Sequence, residues 1–268
     1  MPNLYCLKYQ IVVFLIACLA YSSFGQNSVS IDKRAIFEMD NLGYIYVGLN
    51  EQVTQLNEAG DTLNQYSNKS LGYLDGIDAS NPHKILVHYP GNSVVTFLDN
   101  KLGPRSDDLY LQEKGLEQSS VVCASYNNGL WVYDKVYLGM FRLNQNLEVN
   151  IETGNLTQVL GKSLDPVKMQ EVGKWLYVAD SEDGIYVFDI FGAFYKRIPI
   201  SGISDFQIES GYLFYLKQGS LFRSQLNRPE LEDLKLELDG IQQFRMRENK
   251  AFIVKGGVLK IISTPFPN

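Results

Sequence analysis

The stretch Lys174-Trp175-Leu176-Tyr177-Val178-Ala179-Asp180 leads through Ser181-Glu182-Asp183 into Gly184-Ile185-Tyr186-Val187-Phe188-Asp189, with Gly192 just beyond. It holds two short runs rich in aromatic and β-branched side chains, each bounded by turn-forming residues, which is the pattern of two adjacent strands. The first run has counterparts along the chain in Tyr44–Val47, Lys84–Val87, Gly129–Val132, Leu213–Leu216 and Ala251–Val254. The six runs end at 47, 87, 132, 178, 216 and 254, so the steps are 40, 45, 46, 38 and 38 residues. A recurring step of this size marks a repeat architecture.

Further columns share the register. Each run is followed by a second strand whose end is a turn signal: Leu56-Asn57, Leu98-Asp99, Leu143-Asn144, Phe188-Asp189, Leu226-Asn227 and Ile262-Ser263. Asn and Asp side chains bond the backbone two residues on and so start tight turns. A column ahead of the anchor runs comprises 35–40, 75–80, 120–125, 166–171, 204–209 and 242–247. A less regular one follows, at 61–66, 108–112, 147–152, 194–200 and 231–238. No stretch of the mature chain shows sustained helical spacing. Four short antiparallel strands repeated six times predict an all-β fold, a six-bladed β-propeller. The expected blades are 35–68, 73–113, 119–160, 166–200, 204–238 and 242–263. The sixth unit has only three strands. The alternating segment Ser28–Lys33 is expected to supply the fourth and close the ring, leaving no long exposed edge.

The motif in 174–192 resembles the repeats of six-bladed propellers of the NHL and YncE-like kind, and Asp40–Val47 is a second, weaker match. The resemblance covers residues 28–263 as architecture. It implies a scaffold that hosts many unrelated functions.

Residues 1–25 read as a secretory signal, with Lys8 ahead of the apolar run Ile11–Ala20 and small residues at Ser23 and Gly25. The run is about ten residues, half of what a bilayer span needs. The expected cut precedes Gln26 and leaves one domain, 26–268. The ending Ser23-Phe24-Gly25-Gln26 resembles export signals of Bacteroidetes. A competing reading takes Leu15-Ile16-Ala17-Cys18 as a lipobox, with the protein lipid-anchored through Cys18. Either way the expected location is exported, periplasmic or extracellular. Residues 26–268 carry 23 basic against 30 acidic side chains, which argues against nucleic acid as a partner. Removal of Cys6 and Cys18 leaves only Cys123, so the domain folds without an intrachain disulfide. Cys123 itself reads as a small buried hydrophobe.

The innermost strand of a propeller supplies the channel. Counting back nine from each anchor gives Glu38, Asp78, Cys123, Met169, Gln207 and Arg245. Counting back seven gives Asp40, Ser80, Ser125, Glu171, Glu209 and Arg247, a candidate polar column at the channel mouth. The second column is the better calcium cage of the two, but strand-end polar residues are usually solvated or paired with Arg. No cofactor and no metal ligand set is therefore predicted. His83 and His88 are the only histidines, and they read as one surface and one turn residue. Asp180–Gly184 lacks the ligand spacing of a calcium loop and reads as a hydrated hairpin tip. There is no phosphate loop and no nucleophile elbow, so no catalytic residue is assigned. The basic residues Arg245, Arg247 and Lys250 are expected to balance acidic neighbours.

Most of the aromatic residues are expected between blades. Phe191 and Phe194 flank Gly192 in a predicted turn and are the candidates for an exposed binding pair. The functional reading is a monomeric, non-enzymatic binding scaffold for a protein or cell-envelope component. The alternatives are a metal-dependent hydrolase or lactonase at the channel mouth, and a small-molecule or glycan binder.

Overall fold

The computed structural model describes residues 28–226, 234–235 and 239–264. The leader at 1–25, with Cys6, Cys18 and the cut before Gln26, lies outside the described residues. So do Asn227 and most of the expected outer strand 231–238.

Six antiparallel sheets of four strands follow one another along the chain. Blade one spans Ile36–Ser67, blade two Gly76–Tyr110, blade three Ser119–Glu152, blade four Pro166–Ile198 and blade five Ile203–Lys235. Blade six takes three strands from Gln243–Ser263 and its outermost strand from Ser28–Ser30. That strand pairs Ser28 with Lys260, Val29 with Leu259 and Ser30 with Val258, and the Ile31 N–H extends the ladder to the Gly257 carbonyl. The two ends of the propeller chain thus meet in one sheet, and the ring closes.

Burial follows the radius. The second and third strands of blades two and three, Ile85–Tyr89, Val94–Leu98, Gly129–Asp134 and Gly139–Leu143, are buried at every position. A neighbouring blade covers each face, so these strands are mostly apolar and show no alternation, with His88, Thr96, Asp134 and Arg142 as their buried polar members. The outer strands Thr62–Ser67, Val149–Glu152 and Phe194–Ile198 are mostly exposed. Six apolar clusters fill the six seams between blades. Tyr46, Val53, Ile85 and Val87 pack in the first seam, and Phe37, Ile45, Phe252 and Val254 in the last. Trp131, Tyr133, Leu176 and Phe188 fill the seam between blades three and four. Truncating a buried aromatic such as Trp131 costs roughly 3–5 kcal/mol.

Acidic and amide side chains set the turns. The N–H groups of Phe191 and Ala193 both donate to Asp189 Oδ1, at 2.9 Å each. Asp99 and Asn144 act in the same way in blades two and three, as the turn column required. Asp180 does more than sit at a hydrated tip. It is 3% exposed, accepts from Glu182 and Asp183 through one oxygen, and ties the entry of blade four through Asp165 N–H with the other. The links between early blades contain short helical turns, including Leu156–Leu160 capped by the Asn155 side chain. Among the described residues no helix is long and apolar enough to cross a membrane.

Candidate functional site: the central channel and its rim

The inner strands are Ile36–Met39, Gly76–Asp78, Ser119–Ser125, Pro166–Val172, Ile203–Glu209 and Gln243–Arg247. Hydrogen bonds between them join start to start and end to end, so all six run the same way along the axis. Gln243 meets Ala35 and Phe37 near the start, and Ser125 meets Glu171 near the end. They enclose a cavity of about 1050 Å³.

One level of this channel carries a chain of charge. Lys168 Nζ lies 2.8 Å from Asp205 Oδ1, Arg245 Nη1 lies 2.6 Å from Asp205 Oδ2, and Arg245 Nε reaches Glu38 Oε1. Burial alone would raise the Asp205 carboxyl. The charges of Arg245 and Lys168, with their hydrogen bonds, outweigh it and hold the group below the usual carboxylate range. Burial likewise pulls the Arg245 guanidinium down, and Asp205 and Glu38 together push it above its ordinary value. Asp205 and Arg245 are therefore both ionised at neutral pH.

The same blades share a second device. Gln170 accepts from Ile208 N–H at 2.8 Å and donates to its carbonyl at 3.3 Å. Gln207 does the same to Met246, at 2.7 and 2.9 Å. Gln243 accepts from Phe37 N–H and donates to the Ala35 carbonyl. Each amide thus binds the backbone of the next inner strand.

The expected mouth column divides into three fates. Asp40 lines the channel, yet it is 3% exposed and committed to the Leu42 and Tyr44 N–H groups and to the Tyr46 hydroxyl. Glu171 accepts from Ser125 Oγ, Tyr126 N–H and Trp131 Nε1 of blade three. Arg247 lines the channel and pairs with Glu58 of blade one, where Lys250 joins it. Ser80 and Glu209 are exposed at the mouth. Ser125 is not on the channel wall. It faces a smaller cavity between blades two and three.

Cys123 and Met169, from the other column, lie in the apolar seam between blades three and four. Burial raises the Cys123 thiol, which makes it inert. A fixed count fails because it assumes one turn length. The partner of Val132 is Val122, ten back, whereas that of Val178 is Met169, nine back, and that of Leu216 is Asp205, eleven back. Lys168 and Asp205 were missed for this reason. The alternation of basic and acidic residues on successive inner strands was the signal available.

His88 also departs from the sequence expectation of a surface or turn position. It sits within the second strand of blade two, 1% exposed, with Nε2 2.8 Å from Ser119 Oγ of blade three. Burial lowers it to about 3, so it is neutral. Ser119 is itself 1% exposed, so this pair fixes a seam and presents no nucleophile. Among the described residues no group of three or more His, Cys, Asp or Glu side chains is arranged to hold a metal ion.

At the rim, Phe191 is 71% exposed and Phe194 40%. Gly192 lets the Phe191 turn lie against blade three: its φ is +83°, and a Cβ there would stand 2.8 Å from Thr153 Cγ2. Phe194 packs edge-on against Phe188 at 5.7 Å, and Tyr195 stacks on Trp175 at 4.5 Å.

No protein-family model and no curated relative matches the sequence. Solved structures do match. A catalytically inactive histidine-to-alanine variant of virginiamycin B lyase from Staphylococcus aureus, with quinupristin, is 12% identical with a TM-score of 0.62, covering 86% of this chain and 80% of that one. A gluconolactonase from Xanthomonas campestris is 15% identical with a TM-score of 0.62, covering 93% of each chain. A chain of the nidogen/laminin complex is 12% identical with a TM-score of 0.58, covering 74% of this chain and 78% of that one. At such identities the likeness is one of fold, and the fold is the six-bladed β-propeller.

Proposed function

We propose that this chain is an exported, non-enzymatic propeller that binds a protein or cell-envelope component through the rim of blade four. One observation carries the reading: Phe191 stands exposed on a turn pinned by Asp189 and seated on blade three, beside Phe194. An exposed aromatic on a rigid support loses little entropy on binding, which is what an anchor residue needs. The channel, by contrast, has all four of its cations held in ion pairs. On this reading residues 1–25 direct export to the periplasm or beyond, with the protein released by cleavage before Gln26 or held through Cys18, and it works as a monomer. The nidogen/laminin neighbour supports the reading only as a propeller solved in complex with a protein.

Cross-linking in the native envelope, with the wild type beside Phe191→Ala, tests it. The expected result is one recurrent partner whose binding weakens by about 2 kcal/mol or more in the variant. An unchanged affinity removes the blade-four rim from the argument.

A second reading, a channel-mouth lactonase or other hydrolase using calcium, draws on the names of two neighbours and on the acidic surplus around the axis. The lyase neighbour is inactive without one of its histidines, and here His88 is buried and His83 lies at the surface. Saturable stabilisation by added calcium would favour this reading over the first.

A further inference from the structure

Between blades two and three, beside the channel mouth, a second cavity of about 240 Å³ opens over an apolar floor of Leu86 and Phe97. Its electrostatics are the reverse of the channel's. The channel wall carries nine carboxylates and four cations, and each of those cations is paired. The smaller cavity holds no carboxylate, and its one charged group is Lys84. The Lys84 ammonium sits 4.2 Å over the Phe97 ring and spends one of its three donors on the Asn128 carbonyl, at 2.7 Å. Among the described residues it meets no carboxylate within ion-pair distance.

A second cation stands behind the wall. Arg142 is 2% exposed and reaches Glu171 only through the Ser125 hydroxyl. It also donates to Asn150 Oδ1 and the Tyr126 carbonyl, and it lies behind Gly129, where a Cβ would stand 3.0 Å from its Nη2. The side of the cavity is the turn Tyr126-Asn127-Asn128-Gly129, with φ of +53° and +57° at its two asparagines. That conformation fixes the turn, and Asn is among the few side chains that accept it.

We infer that this cavity is a binding site for a small organic carboxylate, with Lys84 as its counter-ion and the Asn81 and Asn128 amides as hydrogen-bonding partners for the rest of the molecule. Lys84 is half-buried and no carboxylate among the described residues offsets it, so an anion is its natural complement. The apolar floor calls for an organic body, which inorganic phosphate lacks. The volume of about 240 Å³ suits one monosaccharide-sized molecule. Burial, and then the charge of Arg105, hold Lys84 below its ordinary range, consistent with a cation that nothing offsets. The inference is independent of the blade-four reading.

The test is a titration of the full chain with D-glucuronate, D-glucose and inorganic phosphate, read by calorimetry and by amide chemical shifts. Glucuronate is expected to bind saturably and to shift Asn127, Asn128 and Gly129, with glucose and phosphate at least tenfold weaker. Lys84→Met is expected to lower the affinity at least tenfold. Asn128→Asp keeps the turn, places a carboxylate beside Lys84, and is expected to abolish binding even if Lys84→Met fails to fold. Equal binding of glucose, equal binding of phosphate, unchanged affinity in Asn128→Asp, or no saturable binding of glucuronate would each overturn the inference.

Discussion

From blade four round to blade one, neighbouring inner strands are joined twice over: by the Lys168–Asp205–Arg245–Glu38 chain and by the Gln170, Gln207 and Gln243 amides. Across blades two and three the channel wall includes Gly76, Ile77, Val121 and Val122, alongside the polar Asp75, Asp78 and Ser120, and among the described residues no chain of ion pairs joins its inner strands. There the seam is bridged by Asp78 with Ala124 N–H, by His88 and Ser93 with Ser119, and by Lys84 with the Asn128 carbonyl, without a paired amide clip. The same blade geometry is thus held in two ways. Apolar packing is similar all round, so the difference lies in what the polar groups do. In one half they are consumed by structure. In the other, Lys84 is left without a counter-charge next to open space. A propeller needs every seam closed but not every seam closed alike, and the less committed half is where a ligand site fits.

The largest effect expected from breaking this contrast is at Arg245. Arg245→Met leaves Asp205 and Glu38 buried without their shared cation, and should cost about 3–5 kcal/mol in denaturant unfolding. A loss below about 1 kcal/mol would mean that the charge chain contributes nothing beyond packing.

Next comes acid. His88 is about 3 in the folded state and near 6.5 when unfolded, so the unfolded chain takes up the proton first. Stability is unaffected above pH 6.5 and falls as pH drops from 6.5 towards 3, at up to about 1.4 kcal/mol per pH unit. Asp205 acts lower. Its folded value is depressed, so its contribution is present above the unfolded carboxylate range and is lost only as pH falls below it. Unfolding measured between pH 6.5 and 4.5 therefore isolates the blade-two side. His88→Gln keeps a neutral hydrogen-bonding group and should flatten the curve there. An identical slope in the variant would put the acid sensitivity elsewhere.

Smaller again is the amide clip. Gln207→Ala leaves the Met246 N–H and carbonyl without their side-chain partner on a largely buried strand, which should cost about 1–3 kcal/mol. The variant's unfolding midpoint at neutral pH measures it, and no change would mean that water replaces the amide at no cost.

The fold was legible because its determinants are local. The anchor runs and the Asn and Asp turn residues recur in one-dimensional order, and Asp99, Asn144 and Asp189 hold their turns as that order implies. The three-strand sixth unit and the alternation of Ser28–Lys33 sufficed to foresee ring closure. The channel was less legible because it depends on register. A bulge between Ser119 and Val121, another between Pro166 and Lys168, and turns of unequal length move the inward-facing positions. The count therefore placed Cys123 and Ser125 on the axis and passed over Lys168 and Asp205. His88 was misread because its hydrogen-bond partner, Ser119, lies on the next blade and 31 residues along the chain. The Lys84 cavity was invisible for a further reason: it depends on a carboxylate that is missing from two different blades.

The finest test of the contrast compares one clip with another. Asp78 accepts from Ser80 N–H at 2.9 Å and from Ala124 N–H at 2.7 Å, so it does with one carboxylate in the open half what Gln207 does in the closed half. In Asp78→Asn one oxygen survives to accept one of those N–H groups, while the new amide nitrogen faces the other. The position is only half-buried, so water reaches the orphaned N–H. The expected loss is about 1 kcal/mol or less, smaller than for Gln207→Ala. If Asp78→Asn proved the costlier of the two, the blade two–three seam would depend on that carboxylate more than its neighbours do. The division of the wall into a committed and an uncommitted half would then have to be given up.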